Sequence, residues 1–356
     1  MASAERPSPP TGDGLVDAEL AEQPEALERL LRDGRQDAKE LAGRLRRDPI
    51  SHVVIAARGS SDNAARYAQY VLGARHGLNV SLATPSLHSV YQQPPQFTGA
   101  LVAGISQSGQ SPDIVAVLAD ARAQGRPTLA VTNDLESPLA STADHVIDLR
   151  TGPERAVAAT KTYTNSLGAI AMLSAALRGD SADDAMLAMA PERIAETIAA
   201  TGSAEAALVP YAQAQTMAVV GRGFGYGTAH EIALKIKELT GVVAAGYSAA
   251  DLIHGPIAAV HDGFGVFVVA LSGPTLGGLT ELVGRLRERG ARIIIASDDR
   301  ALTDAADTRF VLPDGPEWLA PLWATVPGQV TAITLTRLRG ADPDNPSGLS
   351  KVTHTT

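Results

Sequence analysis

The chain has 356 residues, enough for two domains or one large α/β domain with a sizeable core. Its 30 Lys and Arg against 39 Asp and Glu leave a net charge of −9, and only 4% of residues are aromatic; both disfavour a nucleic-acid partner held by a basic or base-stacking surface. There are no cysteines, which excludes disulfides, cysteine–zinc sites and a cysteine nucleophile, and fits a reducing compartment.

The opening MASAERPSPPTGDG is polar and proline-rich, so residues 1–14 read as a disordered tail without the apolar centre of a signal peptide. The longest apolar runs, Val266–Leu271 and Ile293–Ala296, are too short to span a bilayer. A soluble, cytoplasmic protein with neither membrane nor nucleic-acid partners is expected. A helical segment over 15–49 follows, with Leu20, Leu27, Leu30, Leu31 and Leu41 on a helical period and Pro24 dividing it.

From residue 50, strands and helices alternate. Strands are predicted at His52–Ala57, Asn79–Thr84, Ala100–Ile105, Thr128–Thr132 and Val146–Leu149. Helices are predicted at Ser61–Gly77, Pro112–Gln124 and Ala156–Leu177, the second with Ile114, Val117, Leu118 and Ala121 on one face. The second half repeats the pattern. Strands are expected at Met217–Val220, Gly265–Leu271 and Arg292–Ser297, and helices at Thr228–Thr240 and Leu276–Arg289. Arg58-Gly59 and Ser108-Gly109 recur as Arg222-Gly223 and Ser272-Gly273, both offset by 164; Gly125 and Asn133-Asp134 recur as Gly290 and Asp298-Asp299, offset by 165. Constant spacing in constant order argues for two copies of one α/β unit with a parallel sheet covered on both faces. The domains are read as 50–180 and 210–340, joined by a helical segment at 181–209 and followed by a tail at 341–356.

Chemistry-bearing residues cluster in three loops at predicted strand ends. Ser106-Gln107-Ser108-Gly109-Gln110-Ser111-Pro112-Asp113 follows a strand and opens a helix, with Ser111 as N-cap and Pro112 in the first helical position. The free amides of that helix start favour an anion, and the hydroxyls of Ser106, Ser108 and Ser111 with the amide of Gln107 add donors. This makes a phosphate site without lysine or metal, at the strand end where open α/β sheets bind ligands. Taken alone, a Ser/Gly-rich loop is also an ordinary polar turn. Arg58–Asn63 and Val157–Thr162 occupy matching positions, whereas the equivalent second-half loop, Ser272–Thr275, has lost most hydroxyls. The glycines of Gly221–Gly227 miss the dinucleotide spacing at Tyr226, and His230-Glu231 lacks the second histidine of a zinc-protease motif because Leu234 stands there.

Glu231, Lys235 and Glu238 share one face of the Thr228–Thr240 helix by spacing, which is ordinarily a solvated face. His254-Gly255-Pro256 lies in an apolar run, where a lone histidine is ordinarily structural. Lys351 stands near the terminus, where a lysine is ordinarily solvated. Spacing alone does not bring these residues together.

Six segments occur in order: RGSSDN at 58–63, SQSGQSPD at 106–113, VAATKTYT at 157–164, ALKIKE at 233–238, HGP at 254–256 and NPSGLSK at 345–351. Together they resemble the double sugar-isomerase (SIS) domain of glucosamine-6-phosphate synthase, and more closely its free-standing relatives, the type II glucosamine-6-phosphate deaminases. The resemblance covers roughly residues 50–356. It implies an α/β fold of two tandem SIS domains, each a parallel sheet flanked by helices in flavodoxin-like topology, and a sugar 6-phosphate substrate with no metal or other cofactor. It places Ser60, Ser61, Ser106, Gln107, Ser108 and Ser111, together with Ala158 and Ala159, at that substrate. Glu238 would be the base that moves a proton between C1 and C2, and Lys235 would lie near the developing enolate oxygen. His254 would assist ring opening from the partner subunit, implying a homodimer with a shared active site. Lys351 would meet the open-chain sugar from a tail lying over the site and could form a Schiff base with it.

This sequence departs from the synthase in having no glutaminase domain and no cysteine, which speaks against glutamine-dependent synthesis. Arg58 replaces a cysteine of the synthase, and Ala159 stands where many members have serine. The expected reaction is deamination of glucosamine 6-phosphate to fructose 6-phosphate and ammonia. Loss of the C3 hydroxyl from N-acetylglucosamine 6-phosphate, simple aldose–ketose isomerisation, and a non-catalytic sugar-phosphate sensor are the alternatives.

Overall fold

The computed structural model describes residues 12–202 and 204–351. Most of the expected tail over 1–14, and residues 352–356 of the expected tail over 341–356, lie outside the described residues.

The chain opens with helices α1 (Leu15–Ala21), α2 (Gln23–Asp33) and α3 (Arg35–Arg47). Pro24 lies in the first turn of α2, where its missing N–H removes no helical bond, and a second break unforeseen in the sequence falls at Gly34. There follow β1 (His52–Ala56), α4 (Gly59–His76), β2 (Asn79–Leu82), α5 (Ser86–Ser89), β3 (Ala100–Ile105), α6 (Pro112–Ala123), β4 (Thr128–Thr132), α7 (Pro138–Thr142), β5 (His145–Asp148) and α8 (Lys161–Arg178). Helices α9 (Ser181–Ala188), α10 (Ala190–Thr201) and α11 (Glu205–Leu208) lead to β6 (Thr216–Gly221), α12 (Gly225–Thr240), β7 (Val243–Ser248) and α13 (Ala249–Ile253). The remainder is β8 (Gly265–Ala270), α14 (Leu276–Glu288), β9 (Arg292–Ser297), α15 (Arg300–Thr303), β10 (Thr308–Val311), α16 (Pro321–Ala324) and α17 (Val326–Leu338). Among the described residues no helix is long and apolar enough to cross a membrane.

The chain divides into two compact units. The first holds residues 25–154, 161–189 and 350–351; the second holds 12–24, 155–160 and 190–349. In the first, five parallel strands run in the order β2-β1-β3-β4-β5. In the second, five parallel strands run β7-β6-β8-β9-β10, the same order taken copy by copy. The repeat expected from the residue spacing is therefore a repeat of topology, and each copy has the flavodoxin-like order.

The central strands β3, β4 and β8 are buried along their whole length, as parallel strands covered on both faces must be. The α6 face predicted from spacing, Ile114, Val117, Leu118 and Ala121, is the buried face and shares one apolar cluster with Ala100 and Val102 of β3. In the second unit Leu279, Leu282, Val283 and Leu286 of α14 share the corresponding cluster with Val266, Val268 and Ala270 of β8. Each such leucine or valine removed from water contributes about 1.5–3 kcal/mol.

Helix α8 begins five residues later than the pattern Ala156–Leu177 predicts. The amides of Arg155 and Ala156 donate instead to the buried Glu19 carboxylate, at 2.5 and 3.2 Å, which holds this stretch out of the helix.

Within the second unit α12 and α17 pack against each other, and a methyl at Gly328 would lie 2.1, 2.6 and 2.8 Å from three carbons of the fully buried Ile232 side chain. Alanine in a helix interior ordinarily gains about 1 kcal/mol over glycine. Gly328→Ala should instead cost about 1–3 kcal/mol by overpacking. The double variant with Ile232→Ala should lose less than the sum of the two single variants, as read by urea unfolding.

Candidate active site

Strands β1 and β3 are neighbours at the point where the sheet order reverses, because β1 has β2 on its other side. The connections leaving these two strands diverge and open a crevice at their carboxyl ends. Here the loop after β1 carries Arg58 as the N-cap residue of α4, and the loop after β3 carries Ser111 as the N-cap residue of α6 with Pro112 at the helix start. Between them lies a cavity of about 360 Å³, lined by Ser61, Ser106, Gln107, Ser108 and Ser111, with Arg58 and Lys351.

The loop is shaped by its own serines. Ser106 Oγ accepts from the Gly109 amide at 3.1 Å and Ser108 Oγ from the Gln110 amide at 3.4 Å. Each hydroxyl acts there as an acceptor and keeps its O–H for donation to a ligand. Gly109 has φ +61°, and a Cβ there would lie 2.2 Å from Ser137 Oγ, so only glycine fits the turn. Ser111 makes no side-chain capping bond although it holds the N-cap position. Five of the eight residues expected at the substrate thus line one cavity. Ser60, half-buried in the first turn of α4, is not among its lining residues. Neither are Ala158 and Ala159, which belong to the second unit.

Two buried carboxylates that the sequence reading did not single out stand behind this cavity. Asp113, 1% exposed, takes both Nε (3.1 Å) and Nη2 (2.8 Å) of Arg58 on its Oδ2. Glu154 accepts from the Thr162 amide (3.0 Å), the Thr162 hydroxyl (2.6 Å) and Lys351 Nζ (2.8 Å). Lys351 is therefore not the solvated lysine that its position near the terminus suggests. The only sequence signals for these partners were Asp113 closing the serine loop and Glu154 standing just ahead of the VAATKTYT segment.

The second unit holds the other candidate residues. Glu231, Lys235 and Glu238 project from one side of α12, and the face is not a solvated one. The Lys235 ammonium, with its side chain 3% exposed, lies 3.6 Å from Glu231 Oε1 and 2.5 Å from Glu238 Oε2. Glu231 is fully buried, whereas Glu238 is half-buried and lines a second cavity of about 410 Å³ with Asn345, Pro346, Ser347 and Leu349. His254 is no core histidine: it is exposed at the end of α13.

The model for the SIS domain matches residues 49–176 and again 210–339. The chain belongs to the SIS-domain family. Its two sheets are two tandem SIS domains. It is 35% identical over 354 residues to glutamine–fructose-6-phosphate aminotransferase (isomerizing) of Mycobacterium tuberculosis, covering 94% of this chain and 56% of that protein. This chain spans about half the length of the curated relatives it matches. A crystal structure from Silicibacter pomeroyi, provisionally assigned as a phosphosugar isomerase, is 34% identical, with a TM-score of 0.83 over 93% of this chain and 100% of that one. A glucosamine-6-phosphate deaminase from Thermotoga maritima shares the fold at 19% identity, with a TM-score of 0.77 over 96% and 100% of the two chains.

Two predictions follow from the bonding. Ser111→Ala should alter stability by much less than the ~1 kcal/mol of a capping serine, since it caps nothing. The same variant should bind a sugar phosphate about tenfold more weakly by titration calorimetry.

The second concerns Glu154. Burial pushes its carboxyl up, but the Lys351 ammonium and the two Thr162 donors outweigh burial and hold it below the ordinary carboxylate range. Such a group contributes stability above the unfolded pKa of about 4.3 and loses it as pH falls through the lower folded value. Lys351→Met removes a charged donor from a buried carboxylate, costing about 1.5–3 kcal/mol at pH 7. The gap in thermal unfolding between native and variant should close as the pH falls below about 4, because protonation then relieves the variant and removes the native advantage.

Proposed function

We propose that the protein is an aminosugar-phosphate enzyme that converts glucosamine 6-phosphate and water to fructose 6-phosphate and ammonia, acting as a homodimer. The observation that carries this reading is the hydroxyl-lined cavity at the switch point of the first sheet. It offers serine O–H donors and a helix start to a phosphate. The names of the relatives support it: one is an aminotransferase for fructose 6-phosphate, another a glucosamine-6-phosphate deaminase.

In this reading Ser61, Ser106, Gln107, Ser108 and Ser111 hold the 6-phosphate, and Ser60, Ala158 and Ala159 complete the substrate's surroundings. Binding energy from the phosphate then holds the far end of the sugar against the base. His254, exposed on its own subunit, serves the site of the partner and assists ring opening to the C1 aldehyde. Lys351 meets the open chain. Glu238 removes the C2 proton, and the electron pair of that bond moves to form C1=C2 and a negative C1 oxygen. The Lys235 ammonium stabilises this oxygen, as a preorganised charge does where charge develops. Glu238 returns the proton to C1 while a proton passes from the C2 nitrogen to the C1 oxygen, leaving a C2 imine and a C1 hydroxyl. Water adds to C2 and ammonia departs, so one water is consumed and fructose 6-phosphate remains.

Glucosamine 6-phosphate should give ammonia and fructose 6-phosphate in equal amounts. Glu238→Gln should lower kcat by about 10²–10⁴-fold with little change in sugar-phosphate binding. Mixing Glu238→Gln with His254→Ala subunits should restore part of the activity, because one site of a mixed dimer keeps both groups. Binding of glucosamine 6-phosphate without release of ammonia would overturn deamination. Loss of one water from N-acetylglucosamine 6-phosphate would replace it with a lyase acting through the same C2 proton removal.

A further inference from the structure

We propose that Asp113 and Glu154 are positioning residues: each holds one cation, Arg58 and Lys351 respectively, at the first-unit cavity, so that an entering sugar phosphate, its phosphate or its open chain, meets positive charges already held in place. This rests on reading that cavity as a phosphate site.

Among the described residues, Arg58 and Lys351 are the only charged ones lining the cavity, and neither carboxylate lines it. Both cations come from flexible side chains. Arg58 is half-exposed and Lys351 about one-fifth exposed. A free side chain of this kind loses rotamer freedom when a ligand fixes it, and that loss subtracts from affinity. The carboxylates remove the loss in advance, because they are themselves immobile. Asp113 is fixed through Oδ1, which accepts the Ile114 amide at 2.9 Å, while Oδ2 takes Arg58. Glu154 is fixed through Oε1 by the Thr162 amide, and its Oε2 takes the Thr162 hydroxyl and Lys351.

Donor capacity remains for the ligand. Arg58 spends Nε and one N–H of Nη2 on Asp113 and keeps the rest of its five-donor fork. Lys351 gives Glu154 one of its three N–H groups. The arginine also accounts for the departure at residue 58: a cysteine in that place carries no positive charge.

The sign of the effect decides the matter. Taken as charges alone, carboxylates behind an anion site repel the anion, so neutralising one should tighten binding. Taken as positioning residues, neutralising one releases its cation and weakens binding. Titration calorimetry with sorbitol 6-phosphate, which has no C1 carbonyl and does not turn over, separates the two, with sorbitol as the control for phosphate dependence. Asp113→Asn and Glu154→Gln should each raise Kd on the order of tenfold. In an Arg58→Gln background, Asp113→Asn should no longer weaken binding and should tighten it, a reversal that a structural defect would not produce. Lys351→Met should reverse Glu154→Gln likewise.

If either carboxylate variant fails to fold, Arg58→Gln and Lys351→Met alone carry the test, and unchanged affinity in either overturns the proposal. Unchanged or tighter binding in folded Asp113→Asn or Glu154→Gln overturns it while leaving the phosphate site intact. A native protein that does not distinguish sorbitol 6-phosphate from sorbitol overturns the phosphate site, and this inference with it.

Discussion

A parallel sheet allows each strand to be left only at its carboxyl edge and re-entered only at the other, and everything chemical in the first unit follows from this. Connections from β1 and β3 must start side by side on one edge and depart toward opposite faces, because the order reverses between them. Helix starts therefore converge there with free amides pointing at the same space. The sequence places hydroxyls at this edge: Ser61 in the first turn of α4, Ser106 and Ser108 in the turn after β3, Ser111 at the head of α6. The site is thus a property of the topology first and of the serines second. Those serines would be an ordinary polar turn anywhere else on the chain.

Charge burial is the second constraint. Lys235, Glu231, Asp113 and Glu154 are all almost wholly removed from water, and a lone charge so placed would cost several kcal/mol. Each is tolerated because an opposite charge or a set of donors faces it. The pairing also restricts freedom: Lys235 is held between two carboxylates on its own helix, so its ammonium has one place to be. Removing one member of such a set takes compensation from a buried charge, whereas exposed pairs such as Arg285 with Glu281 contribute little. Some of the buried charge lies in or beside the candidate site residues, and some, such as Asp17 with Arg337 and Asp183 with Arg75, ties helices together elsewhere.

Much of this was legible in the chain. The alternation of strand and helix patterns, the constant offset between Arg58-Gly59 and Arg222-Gly223, and the apolar face of α6 all rest on local periodicity, and local periodicity survives folding. What stayed hidden depends on partners distant in sequence. The start of α8 was misplaced because Glu19, 136 residues away, takes the Arg155 amide. Glu154 and Lys351 are 197 residues apart, so nothing near either one marks the pair. Strands β7 and β10 escaped because small residues in the first and an exposed alternate face in the second weaken the apolar signal. Whether Lys235 and Glu231 lie on a solvated face was open for a related reason: spacing shows that charges share a face, not what that face packs against.

The duplicated fold raises the question of how the two copies differ at this edge, since both have the same strand order. The answer lies in what the second copy presents at the equivalent edge. After β8 the Ser272 amide, which could face an anion, donates to Asp298 Oδ1 at 2.8 Å. Glu317 packs against Gly273 so closely that a Cβ there would lie 2.3 Å from Oε2, and its other oxygen would lie 3.6 Å from a Cβ at Gly223, in the loop after β6. Burial and the neighbouring Asp298 push the Glu317 carboxyl up, as expected for an acidic group held away from water beside a like charge. The chain's own carboxyl groups thus stand at the turn where the first copy offers serine hydroxyls, although Arg222 occupies the place of Arg58. Carboxyl groups at that turn disfavour a phosphate, so a few side chains are enough to separate the candidate phosphate site of one copy from the edge of the other.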